Sequence, residues 1–409
     1  MNLDLNRLRN AVAGTAAAFR CITRYQPVGG PGDKVFPPTY EGGEYAVEKR
    51  IDPDTGERRD CVLLDSVQSQ ANRMELALLE AHRAKLVALP LVVAHFNDPD
   101  LPKKFSVTSL EAPHRLADAL FRDSLLDGTK FRNSIKGRVL DLADYRNAAG
   151  LFGLCPTALV FGLWDSTGPR GGLGAKFQRA LVSEIIGYDA VAGVKTKSRM
   201  DPAQIRLGAG PLYERASEDD GKPNWTLSSS LATLENSKPK LFGKNSKTRG
   251  KPSAAVHGNI KPDVSDGGFT ISYAQQTTTL SLAVLRRLRF PLNGVKSDLE
   301  IDLVARTTLA ALGLAAGSMA REDVDLRSRC HLFAEGPSVW QLLDRPGEAP
   351  AEFTLDAGAA LTLLNDAIKA AKEVDLPWEG VLELTPSPDL VDLVHRSQKL
   401  ASEDGAEQG

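Results

Sequence analysis

Chemistry in this chain is most concentrated between Trp164 and Ala190. Gly168, Gly171, Gly172 and Gly174 surround two cations, Arg170 and Lys176. Glycine tolerates positive φ and leaves amide N–H groups unshielded, so such a loop can lie close to a phosphate. A Walker loop needs Gly-x4-Gly-Lys-Ser/Thr, but here Gly174 leads to Ala175, Lys176 and Phe177, without the hydroxyl that would hold magnesium. The dinucleotide pattern Gly-x-Gly-x-x-Gly fails at Phe177. A solvated surface loop is the competing reading.

Catalytic constellations are sparse. The six histidines, His82, His95, His114, His257, His331 and His395, show no metal-ligand spacing, and there is no nucleophile elbow. Cys330 and His331 are neighbours in sequence, which does not make a dyad. Asp165 and Glu184 flank the glycine loop as scattered carboxylates. The expectation is binding chemistry, with no catalytic residue, metal or cofactor. Cys21, Cys61, Cys155 and Cys330 lie too far apart for zinc half-sites and read as free buried thiols of a cytoplasmic protein. The chain has 409 residues, 25% of them charged, and a net charge of −2, so any polyanion site must be local. The longest apolar run, Val87 to Phe96, is about half a membrane span, so no membrane partner is expected.

The elements that would position these residues read as follows. Phe19–Tyr25 has strand chemistry. Asp65 as N-cap with Gln68 predicts a capped helix, its apolar face carried by Val67, Ala71, Met74, Leu78 and Ala81. That leaves Ser69, Gln70, Asn72 and Arg73 near the N-terminal end, where backbone N–H groups attract anions. Pro113 predicts a helix to about Leu126. Thr157–Trp164 reads as an apolar strand feeding the glycine loop, and Phe177–Val191 as a buried regular segment. Residues 195–266 change character: Pro, Gly and Ser abound, and from Asn236 to Pro262 there are seven cations, Lys244, Lys247 and Arg249 among them, and no carboxylate. This is either a solvated basic linker or an arm that a polyanion orders. Regular structure resumes with Phe269–Tyr273, a helix Thr277–Phe290 ended by Pro291, a helix from Ser297 or Asp298 to Met319, and a strand Leu326–Phe333 that projects two cations. Residues 348–400 read as helical.

Five segments, in this order, resemble a known family: Ser66–Glu75 (SVQSQANRME), Phe121–Ser134, Thr167–Phe177, Thr277–Pro291 and Leu326–Cys330. As a set they are similar to the backbone subunit of type I-G (formerly I-U) CRISPR Cascade complexes, the Cas seven family of the RAMP superfamily, over roughly residues 15–335. The resemblance implies an α+β fold with an RRM-like (ferredoxin-like) palm over 1–194 and 267–345. It implies a thumb-like basic insertion at 195–266; beyond the resemblance, the residues themselves read as a helical C-terminal extension at 346–400 and a disordered tail at 401–409. It further implies a non-catalytic, crRNA-binding subunit that stacks head-to-tail with other copies of itself, contacts other Cascade subunits and presents the guide to target DNA. The implied RNA-binding residues are Ser69, Gln70, Asn72, Arg73, Arg170, Gly171, Gly172, Lys176, Arg199, Lys244, Lys247 and Arg249. Sequence-independent readout of backbone and shape suits a protein that must accept any guide. Two other classes stay open: a target-RNA endonuclease using Asp201, Asp219 or Asp220, and an enzyme holding a phosphorylated metabolite at the glycine loop.

Overall fold

A computed structural model describes residues 2–166, 175–216, 222–292, 297–322 and 324–408, with side chains to 401. Arg170, Gly171, Gly172, Asp219 and Asp220 therefore lie outside the described residues. Helix and strand each account for 31% of the chain, so neither dominates and the protein is mixed α+β. It divides into two units: Met1–Asn97, Phe105–Gly193 and Gly268–Leu390 in the first, and Asp98–Lys104, Val194–Gly267 and Val391–Gly409 in the second.

The first unit is built on a nine-stranded sheet. Along it run β18 (Asp325–Arg327), β19 (Cys330–Ala334), β1 (Ala18–Pro27), β17 (Tyr273–Ser281), β10 (Leu181–Tyr188), β3 (Arg58–Asp65) and β2 (Val47–Ile51). β20 (Val339–Leu343) also pairs with β1 and carries β21 (Ala351–Thr354). In β17 burial alternates strictly, as a half-covered strand requires. Its inward face, Ala274, Gln276, Thr278 and Leu280, is buried. On that side pack α2 (Val67–Arg83) and α8 (Leu299–Met319), the latter flanked by α1 (Leu5–Ala13) and α9 (Ala357–Glu373). α8 is apolar almost all round, as a core helix must be, and Leu309, Leu312 and Leu314 are fully buried. It comes close enough to the sheet that a Cβ on Gly313 or Gly317 would sit 3.0 Å from Leu280 or the Trp340 ring.

A second, five-stranded sheet has the order β5 (Phe105–Thr108), β4 (Leu91–Phe96), β22 (Val381–Pro386), β6 (Ser124–Leu126), β7 (Thr129–Lys130). Short helices α3 (Ala119–Arg122), α4 (Val139–Leu142), α5 (Ala149–Leu154) and α6 (Thr157–Phe161) lead to the hairpin β8 (Leu163–Trp164) and β9 (Lys176–Phe177), and α7 (Leu282–Leu285) follows β17. The chain passes between units along the paired strands β11 (Val191–Arg199) and β16 (Ile260–Thr270). The second unit has two small hairpins, β12 (Tyr213–Glu214) with β13 (Trp225–Thr226) and β14 (Leu234–Glu235) with β15 (Lys238–Pro239), over a small core of Leu212, Phe242 and Ala255. It also holds most of α10 (Pro388–Gln408).

Four local expectations are corrected. Thr157–Phe161 is helical, because Pro156 presets a helical φ before it and Gly162, at φ +87°, ends it. Thr277–Ser281 is strand: three successive threonines favour it, and the segment is hydrogen-bonded between β1 and β10, so helix starts only at Leu282. The helix expected after Pro113 is broken by Arg115, whose φ of +50° turns its side chain to Glu75. Residues 348–400 contain two strands, β21 and β22, beside their helices. The strand at Phe19–Tyr25 and the Asp298-capped helix stand as expected. All four cysteines are buried and unpaired.

Candidate nucleic-acid interface

α2 starts one residue later than the sequence predicts. Ser66 is the N-cap, its Oγ accepting from the Ser69 amide at 3.3 Å. Asp65 is drawn inward instead. It is fully buried and accepts from Ser69 Oγ at 2.8 Å, Gln70 Nε2 at 2.7 Å, Arg73 Nε at 2.9 Å and Arg327 Nη2 at 3.3 Å. A buried carboxylate needs such partners, since an unpaired charge there costs several kcal/mol, on the order of 3–5. Arg73 also donates to the carbonyls of Asp325 and Leu326 at 3.2 and 2.6 Å, and so staples α2 to β18.

Gln70 is buried. Besides Asp65, it accepts from Ser183 Oγ at 3.0 Å and Gln276 Nε2 at 2.6 Å, while Tyr25 OH donates to Gln276 Oε1 at 2.7 Å. This satisfied network orients α2 on the sheet, and Gln70 acts there as an anchor rather than a surface contact. Ser69 is half-buried on Asp65, Asn72 and Gln68 are exposed, and Arg73 is partly exposed. Two guanidiniums share this one buried carboxylate beside the exposed first turns of α2, and the nearby Asp325 carboxylate is paired with His331. Arg327 is the member that sequence reasoning did not assign. Its signal was the pair of projecting cations in Leu326–Arg329.

β8 and β9, which flank the glycine-rich segment in sequence, pair as an antiparallel hairpin. The ladder pairs Leu163 with Phe177 and Trp164 with Lys176, and the Asp165 amide donates to Ala175 O at 2.9 Å. Trp164 is 66% exposed, and Lys176 holds its ammonium 5.6 Å from the indole centroid. A cation on an exposed aromatic face is a suitable pair for a nucleotide strand, with phosphate on one and base on the other. At the root, buried Asp165 is paired with Arg132, which also reaches Asp141 at 2.8 Å. Two residues beyond Lys176, Gln178 Oε1 accepts from exposed Arg287 at 3.3 Å, which ties the hairpin's exit to the residues after α7. Arg179 makes no hydrogen bond or ion pair with a described residue, and burial together with nearby Arg115 holds its pKa below the ordinary arginine value.

Beneath this region Arg115 grips Glu75 with two bonds, 2.7 and 2.8 Å, and donates to Gly162 O at 3.0 Å. Burial pushes the Glu75 carboxyl up to about 7, against the opposing pull of Arg115. The pair has no opening to a ligand and reads as structural.

In the second unit, Arg199 donates to Gly258 O at 2.9 Å and to Val256 O. Arg249 pairs with Glu235 at 2.7 Å, while Lys244 and Lys247 are exposed. Asp201 accepts from the amides of Ala203 at 2.8 Å and Gly258, and these bonds, Gly258 first, lower its pKa. Thus Ser69, Gln70 and Arg73 converge on one carboxylate, Lys176 sits on a separate hairpin, and the insertion cations belong to the other unit. Among the described residues no cluster of His, Cys, Asp or Glu could hold a metal ion, and no helix is long and apolar enough to cross a membrane.

Residues 19–192 match the family model described as CRISPR-associated protein GSU0053 (Cas_GSU0053). The matched stretch spans β1, α2 and the β8–β9 hairpin. No curated protein matches the chain.

Proposed function

We propose that this chain, which matches the family model of CRISPR-associated protein GSU0053 over residues 19–192, is a CRISPR-associated protein and a non-catalytic backbone subunit of a type I CRISPR surveillance complex, of the I-G kind. Copies multimerise head-to-tail along the crRNA and present it to target DNA. The α2–hairpin unit acts as an RRM-like palm and the 195–266 insertion as its thumb.

The observation that carries this reading is the pair of guanidiniums at the start of α2. Arg73 and Arg327 share Asp65 beside exposed Gln68 and Asn72, a polar and cationic surface held rigid by buried bonds. Such a surface contacts phosphates without reading bases. Trp164 and Lys176 offer a second contact of stacking type. The nuclease alternative finds less support: Asp201 spends its oxygens on the backbone amides of Ala203 and Gly258, which tie the two ends of the insertion together. Incubating the assembled complex with complementary RNA and magnesium tests the distinction. The reading expects intact RNA, and site-specific cuts lost in Asp201→Ala would overturn it.

A further inference from the structure

The turn that joins β18 to β19 lies against the loop that follows β1. Val28 N donates to His331 O and Phe36 N to Arg329 O, both at 3.0 Å, so the turn's carbonyls pin both ends of that loop. Between them is a cavity of about 230 Å³, whose lining includes Pro27, Val28, Asp33, Val35, Arg329 and His331. It is smaller than the about 300–1,000 Å³ clefts that take drug-sized ligands and far larger than one water.

Arg329 is the unusual residue here. It is exposed and held at φ +60°, a left-handed conformation that costs a non-glycine residue of order 1–3 kcal/mol. Its guanidinium stacks 4.2 Å from the Phe36 ring centroid, and it makes no ion pair or side-chain hydrogen bond with any described residue. Stacking fixes a planar fork of N–H donors while leaving those donors unspent, which suits bidentate capture of a phosphate. The one carboxylate in the lining is turned onto its own loop: Asp33 Oδ1 accepts from Lys34 N at 2.8 Å, and a Cβ on Gly29 would lie 2.0 Å from Oδ2. Two residues before Arg329, Arg327 pairs with Asp65, the carboxylate that Arg73 of α2 also holds, so the turn continues directly from the α2 cluster.

We propose that this cavity takes one unstacked nucleotide of bound single-stranded RNA, with its phosphate on Arg329 and its base against the Pro27, Val28 and Val35 wall. The inference rests on the RNA-binding reading above and adds a subsite to it. The strained turn is explained by the site, since it aims Arg329 at the cavity mouth.

The test is photocrosslinking of the full-length protein to a 4-thiouridine-substituted single-stranded RNA, with adducts mapped by mass spectrometry and total binding measured in parallel. The expected result is an adduct on the peptides that carry residues 27–35 or 329–331. Val28→Trp, which fills the cavity from an exposed position, should abolish that adduct while RNA is still retained. Arg329→Asn, chosen because asparagine accepts the left-handed backbone, should flatten the salt dependence of binding by about 0.7 log–log units, one single-strand phosphate contact. RNA bound without an adduct at the cavity, or an adduct unchanged by Val28→Trp, overturns the subsite and leaves the RNA-binding reading standing. No RNA bound at all overturns both.

Discussion

At the residue scale, the arrangement around Asp65 makes one set of side chains serve both fold and surface. Asn72 is exposed and does not share in it, so Asn72→Asp should weaken RNA binding while denaturant stability stays within about 0.5 kcal/mol of wild type. Arg73→Ala removes both a surface cation and a partner of a fully buried carboxylate. It should cost about 1–3 kcal/mol of stability as well as lowering the salt slope of RNA binding; an unchanged slope would take Arg73 out of the interface. Glu75 supplies a pH signature. Its carboxyl titrates near 7 when folded against an ordinary value of 4.5, so between these values the folded state holds more protons than the unfolded one. Stability due to this group is full below about pH 4.5, falls as pH rises toward 7 and is flat above it. Melting curves of wild type minus Glu75→Gln across pH 5–8 should show that decline, and a level difference would say that Arg115 keeps Glu75 ionised throughout.

At the element scale, long capped segments were legible and short apolar ones were not. α2 carries a cap and an apolar periodicity over 17 residues, and α8 a cap and a sustained apolar run over 21, enough turns for the pattern to speak. Thr157–Phe161 is a five-residue helix, a length at which apolar runs do not distinguish helix from strand. Thr277–Ser281 is decided by pairing on both sides with strands distant in sequence, a tertiary fact. The cap at Ser66 rather than Asp65 has a similar cause, because Arg327, some 260 residues away, claims the carboxylate. Of the candidate site, the α2 cluster was legible as residue types but not as roles: Gln70, polar and near a helix start, is buried. Gly162 is the joint between α6 and the hairpin. At φ +87°, with an added Cβ 2.9 Å from Arg179 Cγ and 3.1 Å from Phe177 O, Gly162→Ala should destabilise by about 1–3 kcal/mol in a denaturant melt. Lys176→Ala on the exposed side of the same hairpin should leave stability within about 0.5 kcal/mol and reduce RNA affinity. Equal RNA affinity would make the hairpin a scaffold feature.

At the scale of the whole molecule, a net charge of −2 and a local cationic surface fit together if RNA is held along one face only. Apart from residues 98–104, the family match lies within the first unit, where the α2 surface, the β8–β9 hairpin and the Arg329 cavity all reside. The basic insertion lies in the second unit, and its candidates Arg199 and Arg249 are committed to internal partners. Phosphate contact in that unit would therefore rest more on Lys247, exposed on its surface. The most direct test of the central claim is to express the protein with a CRISPR array, purify it, and measure its mass and its ultraviolet absorbance ratio together. The account predicts a multimer that carries RNA of defined length. A monomer with the absorbance of bare protein under those conditions would contradict it.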